Sequence, residues 1–120
     1  MNRMFINSTL FTRIYDQLIA SRKLLSEDFE ELEQLIISNP QTGDVIPGLG
    51  GLRKSRVKSV SKGKSSGFRV DYLDFPEEEI TYYVVIYPKN VKSDLSPDEK
   101  KIILQMIKEI KKGVKNERNV

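Results

Sequence analysis

The sequence predicts an α+β domain, with two helices before and one helix after a mainly antiparallel β-sheet. Two patterns carry that expectation: apolar residues recur at helical spacing near both ends of the chain, and between them the period drops to two with short turns. A third observation sets the size. The chain has 120 residues, 38% hydrophobic and 31% charged, enough to bury one core without disulfide or metal staples. We expect a single domain over residues 1–113 and a frayed tail over residues 114–120.

Each element has its own signal. Leu10, Phe11, Ile14, Tyr15 and Leu18 lie at helical spacing, with Ser8 or Thr9 as N-cap. After a break near Ser21–Leu25, Ser26 is the expected cap of a second helix with Phe29, Leu32, Leu35 and Ile36 as its apolar stripe. Acids in its first turn suit the helix dipole, and Asn39-Pro40 ends it, because a residue before proline is pushed out of the α region. QTGDVIPGLGG is then a loop. LRKSRV, GFRVDYLDF and ITYYVVIY read as strands, joined by the turns SKGKSSG and PEEE. The third strand is apolar at nearly every position, so we expect it at the centre of the sheet, covered on both faces. Ser96-Pro97-Asp98-Glu99 opens the last helix as a capping box with proline at the first helical position. Ile102, Ile103, Met106, Ile107 and Ile110 form its stripe, and its end is expected near Gly113. All helices are expected on one face of the sheet.

Composition excludes several chemistries. With no His and no Cys, zinc sites on thiolate or imidazole, Cys nucleophiles and Ser-His-Asp triads cannot be built from this chain. The residues call for no metal and no cofactor. No apolar run approaches the ~20 residues of a bilayer span, and the start MNRMFINSTLF is too short and polar for a signal peptide, so a cytoplasmic location without membrane contact is expected.

The net charge of +3 is unevenly distributed. Acids crowd residues 27–33 and 71–79, whereas GLGGLRKSRVKSVSKGKSSGFR, residues 48–69, holds Arg53, Lys54, Arg56, Lys58, Lys62, Lys64 and Arg69 with no acid among them. Like charges this close repel, so the cluster is either well solvated or awaits an anion. Alternation sends Leu52, Lys54 and Arg56 to one face and Arg53, Ser55 and Val57 to the other, with Arg69 on the neighbouring strand and Lys62 and Lys64 in the turn between. Three readings stay open at this point: a lysine-rich edge that discourages strand addition, simple phosphate binding, and catalysis. GLGGLRKS is no phosphate loop, since it lacks the G-K-[ST] end and no helix follows.

Three separated strings narrow the choice. N-P-x-x-G-D-V-I-P-G-x-G-G-L-R-K-x-R from Asn39 to Arg56, K-G-K-x-x-G-x-R-V from Lys62 to Val70, and V-V-I-Y-P-K-N-x-K-S-D-L-S-P-x-E-K-K from Val84 to Lys101 resemble, in this order, the HigB-type branch of the RelE/ParE toxin superfamily. The resemblance implies a RelE-like fold and the toxin of a type II toxin-antitoxin pair: an mRNA interferase that enters the ribosomal A site, lined by 16S rRNA, and cleaves translated mRNA. It also implies a cognate antitoxin, HigA-like with a helix-turn-helix. The resemblance implies Lys54, Arg56, Arg69 and Lys92 as catalytic residues, with Lys89 close by; from their positions, Arg53, Lys62, Lys64, Tyr87 and Lys89 are expected to bind substrate. The chain departs from the best-known RelE pattern, with Arg at the second strand position, Lys after the last strand and no carboxy-terminal tyrosine. ParE relatives, which share the fold, poison DNA gyrase instead; a plain RNA-binding module is the other alternative.

The chemistry follows from the residue types. Cleavage by the neighbouring 2′-hydroxyl passes through a phosphorane with added negative charge, which a guanidinium fork stabilises while staying charged at any working pH. Arg56 and Arg69 suit that clamp. Lys54 is the expected base, since crowding by cations disfavours its charged form, and Lys92 or Lys89 the acid for the departing 5′-oxygen. Tyr87 can stack on a base or pack within the sheet.

Overall fold

Period-two alternation in the middle of the chain produces the expected meander: β3 (Arg53–Lys58), β4 (Gly67–Phe75) and β5 (Ile80–Pro88) pair antiparallel in sequence order. The structure is a computed structural model that describes residues 3–58, 67–92 and 94–118. Most of the turn SKGKSSG, with Lys62 and Lys64, lies outside the described residues. Two short strands complete a five-stranded sheet, β1 (Met4–Asn7) and β2 (Asp44–Val45), in the order β1-β5-β4-β3-β2. β1 runs parallel to β5, and β2 antiparallel to β3. The middle strand is therefore β4 and not β5. β5 is apolar throughout because β1 borders its other edge and helices cover both its faces.

The three helices are α1 (Thr9–Ala20), α2 (Ser26–Ser38) and α3 (Pro97–Arg118), and they do not share one face. Phe11 and Leu18 of α1 and Phe29, Leu32 and Ile36 of α2 pack with Val57, Phe68, Val70, Tyr72, Tyr83 and Ile86. On the opposite side, Ile103 and Ile107 of α3 pack with Leu73, Val84, Val85 and Tyr87. A strand apolar at successive positions needs cover on both sides, and α3 supplies the second layer. A register shift makes this possible: Tyr72 pairs with Tyr83 and Asp71 with Val85, so Val84 is an extra residue and points, like Val85, toward α3.

Local chemistry sets the helix ends. Ser8 caps α1, its Oγ accepting from the Phe11 amide at 2.9 Å and donating at 2.7 Å to the carbonyl of Val84, the bulged residue. Ser26 does not cap α2. Leu25 holds that position without a side-chain bond, and Ser26 is the first helical residue. The capping box of α3 forms as expected, with the Ser96 amide donating to Glu99 at 2.8 Å and the Glu99 amide donating to Ser96 Oγ at 3.2 Å. The helix passes through Gly113 to Arg118, beyond the expected end. Val114 continues the buried stripe of Ile103 and Ile107, and that packing offsets the roughly 1 kcal/mol a helical glycine loses.

Two loop contacts aim the site strand. Tyr72 accepts from the Gly43 amide and donates to the Pro40 carbonyl, both at 2.9 Å. A Cβ on Gly43 would sit 2.7 Å from the Lys54 carbonyl, so the loop after α2 presses against β3 only because that position is glycine.

Candidate anion-binding site

Register places the basic residues. Across β3 and β4, Arg56 lies opposite Arg69 and Lys54 opposite Asp71; across β4 and β5, Arg69 lies opposite Tyr87 and Asp71 opposite Val85. Directly paired residues share a face. Val85 and Tyr87 belong to the α3 side, so Lys54, Arg56, Arg69 and Asp71 stand on that side too. Two adjacent rows result, Arg56–Arg69–Tyr87 and Lys54–Asp71–Val85. Arg56 is exposed, and Lys54 and Arg69 are half-buried.

This arrangement is costly by itself. Like charges directly opposite on neighbouring strands destabilise a sheet by several tenths of a kcal/mol. Among the described residues no ion pair relieves Lys54, Arg56 or Arg69. The Arg69 Nε is buried without a partner. Beneath them Asp71 is wholly buried, with Oδ2 accepting from the Tyr87 hydroxyl at 3.3 Å and Oδ1 unpartnered. Burial pushes the Asp71 carboxyl up to about 7, against the opposing pull of the Tyr87 hydrogen bond and of Arg69 and Lys54. Tyr87 is raised in turn, chiefly by burial and then by the neighbouring carboxylate.

Other expected site residues are placed differently. Arg53 faces the α1–α2 side, away from the Arg56–Arg69 row, and its guanidinium holds the loop by donating to the carbonyls of Gly43 at 2.7 Å and Gln41 at 3.2 Å. Tyr87 is 4% exposed and its ring lies 5.1 Å beneath the Lys92 ammonium, so no face is open for a base to stack on. Tyr87 packs with the α3-side core, as the second of the two sequence alternatives has it. Lys92 itself is ion-paired with Glu99 of the capping box, which holds the Glu99 carboxyl below its usual range. Lys89 is half-buried just past β5, its amide donating to the Gly67 carbonyl at 2.9 Å. Lys62 and Lys64 fall outside the described residues.

Asp71 is the site residue that sequence reasoning missed, because it was grouped with the acids of residues 71–79. The signal was present in the spacing. Arg69 and Asp71 are two apart in a strand and must share a face. No group of three or more carboxylates converges among the described residues to hold a metal ion. What remains is three cations, Lys54, Arg56 and Arg69, on one face of the sheet, a residue set whose guanidinium forks suit an oxyanion ligand.

A five-stranded sheet with helices on both sides and a cationic row on its α3 face defines a small layered α+β domain. Over residues 7–118 the chain matches the family model described as the RelE toxin of the RelE / RelB toxin-antitoxin system, and it belongs to that family. Its fold is similar to that of a double mutant of E. coli toxin RelE in the free state, with a TM-score of 0.52 and 15% sequence identity, covering 78% of this chain and 90% of that one. Among the described residues no helix is long and apolar enough to cross a membrane.

Proposed function

We propose that this RelE-family toxin is a ribosome-dependent mRNA endoribonuclease of HigB type, partnered by a cognate antitoxin. One observation supports this above others: Arg56 and Arg69 are directly opposed and Lys54 is one row away on the same face, with no salt bridge to any of them among the described residues and the buried Asp71 opposite Lys54. A patch built at such electrostatic cost is explained by a ligand of strong negative charge. The three sequence strings described above support the HigB branch.

The chemistry assigned to these groups is as follows. Lys54 accepts the proton of a 2′-hydroxyl as that oxygen attacks the adjacent phosphorus. The forks of Arg56 and Arg69 bind the charge that accumulates on the phosphorane, more in the transition state than in the ground state. The bond to the 5′-oxygen breaks, and that oxygen takes a proton from Lys92, which Glu99 holds above Tyr87 on the same side of the sheet. The products are a 2′,3′-cyclic phosphate and a 5′-hydroxyl. The test is to map mRNA ends after brief expression in cells: wild type should generate new 5′-hydroxyl ends within translated messages, and Arg69→Ala should not. Equal cutting by both proteins would overturn the assignment.

A further inference from the structure

Asp71 has no part in the chemistry above, yet it occupies the floor of the same patch. Mid-strand positions in a doubly covered sheet ordinarily hold apolar residues, because a buried carboxylate needs its oxygens satisfied. Here one is not. Oδ2 has the Tyr87 hydroxyl, whereas Oδ1 is buried and bare. Two residues away on the same face, the Nε of Arg69 is a buried donor without an acceptor. An unpartnered acceptor and an unpartnered donor two residues apart on one strand face, with Lys54 opposite the acceptor's residue, are a poor solution for stability alone.

We propose that Asp71 is a positioning residue of the cationic face, acting through Lys54 and Arg69, and that its charge sets how tightly the face takes up a phosphodiester. The proposal shares with the nuclease reading only the identity of the ligand. The groups facing the carboxyl are Lys54 from β3, Arg69 on β4, Tyr87 from β5 and Asp94 from the segment before α3, with the Lys92–Glu99 pair above Tyr87. Burial and Asp94 favour the protonated form, while Tyr87, Arg69 and Lys54 favour the ionised one. Near neutral pH both forms coexist. The ionised carboxylate offsets one of the cations around it and so weakens the pull on a phosphodiester. The protonated form leaves the patch one charge more positive and so holds a phosphodiester more tightly.

The sign follows directly: uptake strengthens as pH falls through about 7. The chain has no His and no Cys to titrate in that window, and only the terminal amine ordinarily does so nearby. The experiment measures affinity of the full chain for a single-stranded 2′-deoxyoligonucleotide at constant ionic strength from pH 6 to 8. This probe lacks the attacking hydroxyl, so it binds without being cut. Wild type should bind roughly three- to tenfold more tightly at pH 6 than at pH 8, the range set by a shift of up to one pKa unit on binding. Asp71→Asn keeps an acceptor for Tyr87 and should bind at the tight value throughout. Tyr87→Phe removes a bond that favours the ionised form, so its transition should move to higher pH. A flat wild-type profile, no binding at any pH, or parallel profiles for wild type and Asp71→Asn would each overturn the proposal, as would an unmoved transition in Tyr87→Phe. Failure of the nuclease reading appears separately, in the mRNA ends of Arg69→Ala, and leaves this binding result intact.

Discussion

The two faces of the sheet are built on opposite terms. On the α1–α2 side the rings of Phe5, Phe11, Phe29 and Tyr83 contact one another at 5.1–5.8 Å, and the pairs Tyr83–Phe5 and Tyr83–Phe11 are stacked. On the α3 side apolar packing stops short, and the remaining area carries Lys54, Arg56 and Arg69 over a buried Asp71. One face holds the fold together. The other accepts like-charge repulsion beside its apolar core and presents a charged patch.

Substitutions on the two faces should differ in what they damage. The largest expected effect is on activity from the α3 face: removing one transition-state donor such as Arg69 should lower cutting by about a hundredfold or more, with melting temperature nearly unchanged. Next is stability from the α1–α2 face. Phe11→Ala, at 1% exposure, should cost about 3–5 kcal/mol in denaturant unfolding, because the stacked cluster cannot close over the cavity.

A third prediction concerns pH. The Asp71 carboxyl titrates near 7 when folded and near 3.8 as an ordinary aspartate, so the folded state binds its proton more tightly. Ionisation then penalises the folded state, and stability falls as pH rises from about 4 to about 7. Asp71→Asn removes that penalty. It should be more stable than wild type by a few kcal/mol at pH 8, with the gap closing toward pH 4, as unfolding curves at several pH values would show. The smallest effect is at the cap: Ser8→Ala should cost about 1–2 kcal/mol, since it loses the N-cap bond and leaves the Val84 carbonyl without its hydroxyl partner.

Much of this contrast was legible in the sequence. Strand parity alone put Lys54 and Arg56 on one side and Arg53 on the other, and the capping box at Ser96–Glu99 needs only local spacing. The failures were non-local. β1 and β2, of four and two residues, are too short to show a period and exist only through their partners. The extra residue at Val84 depends on cross-strand register, which also decides that α3 covers the second face. The pairing of Lys92 with Glu99 joins a loop to a helix end, and nothing in the lysine's immediate neighbours announces it. Gly113 read as a stop because its local cost is visible in sequence while the burial of Val114 is not.

Arg53 and Arg56 offer the most direct test of the claim that only the α3 face engages RNA. They are three residues apart on one strand, equal in charge, and point to opposite sides. Messages should be mapped after brief expression of Arg56→Ala and of Arg53→Ala, each confirmed folded by its melting curve. Cutting should be lost in Arg56→Ala and retained in Arg53→Ala; retention in the first, or equal loss in both, would rule out engagement through the α3 face alone.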